Sequence, residues 1–217
     1  MNRINELLTE QDNSEKIRDR IAAILKLELT KQKQLADELK IADKKDFNIN
    51  VYLENSRPWE LTGDNEENNP FPLVNVCLQE INKDERSGSD QNNVKYTGIY
   101  YIDCYGCGNK QPEGAEEYIP DDSLSAKRAW KTARVTRNIL MSGFYTHLGL
   151  QGLVRKRSIS KITTIIPNSP EGALSVTACR IIFDVDFSEK SIEASGVTFE
   201  GIDFVSKDNG EVSLINI

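Results

Sequence analysis

The residue pattern predicts an α+β fold: a mainly antiparallel β-sheet with two principal helices packed on one face, plus a β-rich C-terminal extension. Three observations lead there. Two long segments repeat their apolar residues at intervals of three and four. Shorter stretches alternate apolar with polar residues, or concentrate Val, Ile and Tyr between Gly, Pro, Asn and Asp. The elements come in the order helix, three strands, helix, two strands and a β-rich tail, which suits helices laid on one side of a sheet. At 217 residues the chain is long enough to bury a core. The expected division is a domain over residues 1–187 and a β-hairpin extension or arm over residues 188–217.

The first helix is expected to start at a cap on Asn13 or Ser14. Ile17, Ile21, Ile24 and Leu25 then share a face, and Leu35, Ala36 and Leu39 continue it more weakly after a break near Thr30. Phe47 to Leu53 alternates as a half-buried strand and ends at Ser56-Arg57-Pro58-Trp59. A polar loop from Thr62 to Asn69 leads to a second strand from Phe71 to Leu78, with a proline near its start. Another loop, Asn82 to Asn93, precedes a third strand from Val94 to about Tyr105; Gly106, Gly108, Pro112 and Gly114 mark its exit.

The second helix opens on Pro120-Asp121-Asp122-Ser123, acidic residues and a cap that suit a helix N-terminus. Its spacing predicts that Ala126, Trp130, Ala133, Leu140 and Phe144 form the core face, interrupted near Thr136-Arg137. Strands follow at about Arg157–Ile166 and Ser175–Phe187, joined by a turn over residues 167–172. Asp208-Asn209-Gly210, between Ile202–Val205 and Val212–Ile215, signals a terminal hairpin. Such a hairpin offers a strand to a neighbour's sheet edge.

Several function classes receive little support. No stretch approaches the ~18 apolar residues of a membrane helix. The opening Met1–Glu6 has no apolar run behind it, so no secretory signal and a cytoplasmic site of synthesis are expected. Cys77, Cys104, Cys107 and Cys179 are scattered, as reduced thiols are. Cys104-Tyr105-Gly106-Cys107 is a CxxC, but no second close pair completes a zinc site. It also falls at a strand end rather than at the helix N-terminus a redox dithiol uses. His147, the single histidine, has no nucleophile elbow to serve and reads as structural. Asp184 and Asp186 fall on one side of a strand, where carboxylates hold magnesium or simply meet solvent; the apolar neighbours favour solvent. Phosphate-binding glycine loops are absent. No enzyme, cofactor or metal site is expected.

Charge is the informative feature. Between Ala126 and Lys161 stand nine lysines and arginines and no aspartate or glutamate, while the whole chain carries −7, leaving about −16 on the remainder. The candidate interface residues are Lys127, Lys131 and Arg134 on one helix face and the Arg155-Lys156-Arg157 cluster. With a pI near 5.0 the chain is unfavourable for sequence-specific DNA binding. Opposite-sign faces on one molecule suit head-to-tail association, which closes into a ring when the rotation allows.

Phrases across residues 14–187 resemble the tail terminator, or tail completion, proteins of tailed phages. They are Ile17-Arg18-Asp19-Arg20-Ile21; Val51-Tyr52-Leu53-Glu54-Asn55 with Pro58-Trp59-Glu60; Phe71-Pro72-Leu73-Val74-Asn75-Val76; and Gly98 to Gly106 ahead of Ala129-Trp130. The resemblance implies a virion structural protein, assembled in the host cytoplasm. It would form a ring, usually a homohexamer, at the head-proximal end of the tail, ending tube polymerisation and giving the head and neck a docking surface. Its partners would be other copies, the tube protein, the sheath in a contractile tail and the neck connector, with DNA passing through the ring. No catalysis or cofactor is implied, and no fixed functional side chains carry over. An adjacent neck or head-tail connector protein, and a DNA-binding protein using residues 126–161, are the alternatives.

Overall fold

The computed structural model describes residues 11–42, 44–61, 70–84, 94–108, 120–167, 175–189, 203–206 and 212–215. Helix α1 spans Asn13–Glu38 and is continuous. The expected break at Thr30 does not occur, because the Thr30 hydroxyl bonds back to the Lys26 carbonyl at 2.7 Å and stays within the helix. The cap is Asp12, one residue ahead of the expected position, and its N–H donates to the Glu15 carboxylate at 3.2 Å. At the other end Lys40 takes a left-handed φ of 52°. Ile41 N–H then returns to the Ala36 carbonyl at 3.0 Å, closing the helix as a glycine commonly does.

The main sheet contains β1 (Asn50–Leu53), β2 (Leu73–Lys83), β3 (Val94–Cys107), β4 (Val154–Ile165) and β5 (Val176–Glu189), in the order β1-β2-β3-β5-β4. Three pairings are antiparallel and β1 runs parallel to β2. The sheet is therefore mixed, though mainly antiparallel as expected. β1 is shorter than the alternation suggested: Phe47 belongs to a 3-10 turn, Lys44–Phe47, and the ladder with β2 runs from Asn50 to Leu53. β2 runs through Asn82, which was expected in a loop, because β3 is long enough to pair Asn82 with Thr97 and Lys83 with Tyr96. The expected loops over residues 62–69 and 85–93 lie outside the described residues.

Both principal helices cover one face of the sheet. Ile17, Ile21, Ile24, Leu25 and Leu29 of α1 meet Val74, Val76, Tyr100, Ile102, Cys179, Ile181, Phe183, Val185 and Phe187 in one buried cluster. Each such aliphatic or aromatic side chain contributes roughly 1.5–3 kcal/mol on burial. The opposite face carries a smaller cluster, Leu73, Tyr105, Cys107, Val176 and Ala178, partly covered by Trp59 and Phe71.

Helix α2 (Asp121–Leu140) starts where the acidic residues predict, but its core face is rotated from the expected one. The buried residues are Ser125, Ala129, Thr132, Ala133, Thr136 and Leu140. Trp130 is 47% exposed and Phe144, in the 3-10 turn Gly143–Tyr145, is 86% exposed. The reason is close approach. A Cβ on Gly106 of β3 would lie 2.4 Å from both the Ala129 nitrogen and the Ser125 carbonyl oxygen. At that separation only small side chains fit between helix and sheet, so tryptophan is turned outward.

Beyond β5, β6 (Asp203–Ser206) and β7 (Val212–Ile215) pair antiparallel as the expected hairpin, in a separate two-stranded sheet. Its turn, residues 207–211, lies outside the described residues, as does most of the turn expected at 167–172. No helix among the described residues is long and apolar enough to cross a membrane.

Candidate functional site

The basic stretch divides into charges used inside the molecule and charges left on its surface. Lys131 belongs to the first group. Its ammonium donates to Asp46 Oδ2 at 2.8 Å and sits 4.7 Å from the centre of the Phe47 ring, fastening α2 to the turn before β1. Arg128 reaches Asp46 at 3.6 Å and the Cys107 carbonyl at 2.8 Å. Arg157 is also internal. Its guanidinium donates to the carbonyls of Ser142 at 2.6 Å and Thr146 at 3.2 Å and touches Met141 Sδ at 3.6 Å, tying β4 to the end of α2. Lys131 and Arg157 therefore hold the fold together, a role their sequence spacing did not reveal.

Lys127, Arg134 and Arg137 on α2, and Arg155, Lys156 and Lys161 on β4, are exposed and make no ion pair with a described residue. β4 is an outer strand, so Arg155, Lys156 and Lys161 border a backbone edge that pairs with no other strand among the described residues. Charges there discourage indiscriminate strand pairing and present a cationic rim to an acidic partner. Lys156 faces Asp186 in register, but the Asp186 carboxylate accepts from Thr97 Oγ1 at 2.8 Å instead.

Two residues expected on the core face, Trp130 and Phe144, stand on the surface instead, and Met141, which the spacing did not single out, is exposed with them (46%). Trp130, Arg134 and Arg137 recur at intervals of four and three, which places them on one stripe of α2, and Met141 follows as the C-cap residue. Their helical spacing was legible; their outward direction was not.

The candidate chemical sites do not assemble. Cys104 lies in the cluster under the helices and Cys107 in the cluster on the opposite face, so the CxxC thiols are separated by the sheet. Cys77, Cys104, Cys107 and Cys179 form no disulfide with one another. Burial pushes the Cys104 thiol well above its ordinary range and those of Cys77 and Cys179 up to about 11, which suppresses the reactive thiolate. His147 Nδ1 lies 3.0 Å from the Val154 carbonyl, bridging the exit of α2 to β4. Among the described residues no group of three His, Cys, Asp or Glu could hold a metal ion. A groove of about 420 Å³ runs between α1 and β1; among the described residues its charged lining is Lys26 and Lys33, with no carboxylate, histidine or cysteine beside them.

No protein-family model and no curated protein matches the sequence.

Proposed function

We propose that this chain is a structural protein of a phage virion, a tail terminator that assembles into a ring at the head-proximal end of the tail. There it ends polymerisation of the tail tube and offers the head and neck a docking surface. Copies of the chain, the tube and the neck connector are its partners, together with the sheath where the tail contracts. The reading starts from the resemblance of residues 14–187 to that family. The single structural observation that supports it is the cationic surface of α2 and the β4 edge, left without carboxylate partners among the described residues of a chain whose net charge is −7. Such a surface is suited to meeting an acidic surface on another subunit.

The terminal hairpin adds a second contact. An isolated two-stranded hairpin is marginal in water, so β6 and β7 gain stability by joining a third strand. Deleting residues 188–217 is expected to lower ring yield; full ring yield from the truncated chain removes the hairpin from assembly.

Native mass at high concentration, with negative-stain imaging of the same sample, tests ring formation. Mixing with purified tail tubes tests termination: tubes whose growth stops at a bound ring support the proposal. Tubes that lengthen unhindered overturn it and favour a connector. Duplex DNA binding that falls steeply with salt would move the function to nucleic acid.

A further inference from the structure

The buried seam of α1 continues past the end of the core. Ile17, Ile21, Ile24, Glu28, Lys31, Leu35 and Glu38 follow one another at intervals of four, three, four, three, four and three, the spacing at which two helices pack along a shared seam. The three isoleucines are buried against the sheet, and the Glu28 carboxylate accepts from Tyr145 and Lys31. Beyond Leu29, Ala36 alone of the helix residues is buried. The seam runs out into the open there, with Leu35 46% and Leu39 70% exposed and Leu27 beside them at 54%. Ile41, where the chain leaves the helix, is exposed as well. A helix end with leucines outward and little core beneath it depends on packing for its stability, because propensity alone is a weak hold.

Charge narrows what fits on that surface. Carboxylates at a helix C-terminus oppose the macrodipole, yet the last turn of α1 carries Asp37 and Glu38 and no basic residue. Lys44 meets Asp37 at 3.3 Å, whereas Glu38 makes no ion pair with a described residue. Lys31, two turns earlier, donates to Glu28 at 2.8 Å, and an ammonium has three donors to offer. The seam therefore shows a positive group, then a leucine, then a negative group that lacks a cation.

Turned end over end, this surface is its own complement. With a two-fold axis level with Gln34 and Leu35, Lys31 of each copy comes level with Glu38 of the other, and the two Leu35 side chains meet at the axis. Leu27 of one copy then comes beside Ile41 of the other, so apolar residues face apolar ones. The lysine also supplies the cation that the C-terminus of the opposing helix lacks. A parallel arrangement would set Lys31 against Lys31 and Glu38 against Glu38, so the charges select the antiparallel one.

We infer that the outward end of α1 pairs two copies of this chain as antiparallel helices about a two-fold axis, with Leu35 at the centre and reciprocal Lys31–Glu38 ion pairs on either side. The contact goes beyond the terminator reading and does not depend on it. A two-fold contact is complete with two copies, so it adds to the head-to-tail contacts of a ring and does not supply them.

Sedimentation of full-length variants over a concentration series at low salt tests it. K31E and E38K are each expected to weaken pairing at least about tenfold, because both junctions then oppose like charges. E38K should do so without lowering the melting temperature, since a lysine suits a helix C-terminus. An equimolar mixture of the two, or K31E/E38K in a single chain, restores opposite charges at both junctions and should pair as the parent does. L35C stands at the axis and should link to its counterpart as a disulfide dimer when oxidised glutathione is added, while the parent does not. A parent that stays monomeric at about millimolar concentration overturns the inference, as does a charge swap that fails to restore pairing or an L35C chain that does not cross-link. A monomeric parent in which Leu35→Asp lowers the melting temperature shows the chain's own residues covering the seam, which also overturns it. Pairing that survives K31E and E38K but is lost in R134E/R137E places the contact on α2 and overturns it as well. Tube capping is scored separately, so a chain that caps tubes without pairing through α1 rejects this contact while leaving the terminator reading in place.

Discussion

Asp103 and Arg180 stand opposite each other on β3 and β5, joined by two parallel hydrogen bonds: Nε to Oδ1 at 2.7 Å and Nη2 to Oδ2 at 2.8 Å. Asp103 is 3% exposed, and the Arg180 guanidinium lies 4.1 Å from the centre of the Tyr101 ring. The pair fixes the register of the two central strands on the face away from the helices. Arg180→Ala leaves a buried carboxylate without its partner and is expected to cost about 3 kcal/mol in urea unfolding. Replacing both residues by apolar ones should cost far less, since neither charge then stays buried. A single-variant loss under about 0.5 kcal/mol would mean that solvent stands in for the arginine.

The Tyr145 hydroxyl donates to the Glu28 carboxylate, linking α1 to the turn after α2, and Lys31 Nζ donates to the same oxygen at 2.8 Å. Hydrogen bonds from Lys31 and then Tyr145 hold Glu28 below its ordinary pKa of 4.5, while the bond to Glu28 raises Tyr145 above 10.0. The Glu28 contribution is therefore full above pH 4.5 and is lost as pH falls through its lowered folded value. The Tyr145 contribution is full below pH 10 and is lost as pH rises through its raised folded value. Tyr145→Phe should lower stability by about 1 kcal/mol near neutrality. It should also flatten the alkaline arm of a melting-temperature profile while keeping the part of the acid arm that Lys31 supports. Parent and variant profiles that run parallel through both arms would count against the linkage.

Where a residue's environment is its own secondary-structure face, the sequence was readable. Ile17, Ile21, Ile24 and Leu25 are buried as their spacing requires, and Ile181, Phe183, Val185 and Phe187 alternate inward along β5. The direction of a neighbouring strand leaves no trace in alternation, so the parallel pairing of β1 with β2 was not legible. Hydrophobicity says that Trp130 and Phe144 favour burial, but not whether the protein's own core supplies it. The internal roles of Lys131 and Arg157 depend on Asp46, far away in sequence, and on backbone carbonyls that have no residue signature. The net cationic character of residues 126–161 was legible; which of its charges are free required the fold.

Gly106 measures how tightly α2 rides on β3. The atoms nearest to an added Cβ are backbone, the Ala129 nitrogen and the Ser125 oxygen at 2.4 Å, so no side-chain movement relieves the overlap. Gly106→Ala is expected to cost about 3 kcal/mol or to prevent folding. Gly143, with nothing within 4 Å of an added Cβ, is the matched control and should tolerate alanine. Equal unfolding midpoints for the two variants would show that the helix can lift away without penalty.

The final prediction separates the two kinds of charge on α2. Lys131 is half-buried against Asp46 and Phe47, whereas Arg134, three residues on, is exposed and pairs with no described residue. Lys131→Ala removes a partly desolvated ion pair and a cation–π contact, an expected loss of about 1 kcal/mol of stability. It should leave subunit association unchanged. Arg134→Ala should do the reverse, with an unaltered unfolding midpoint and weaker association whose salt dependence is reduced relative to the parent. Measured together, denaturation and sedimentation place each residue on one axis or the other. If both variants move only the unfolding midpoint, the stretch serves the fold alone and the assembly surface must lie elsewhere. If Arg134→Ala moves only association, the positive charge left on the surface after folding is the part of the basic stretch that acts between molecules.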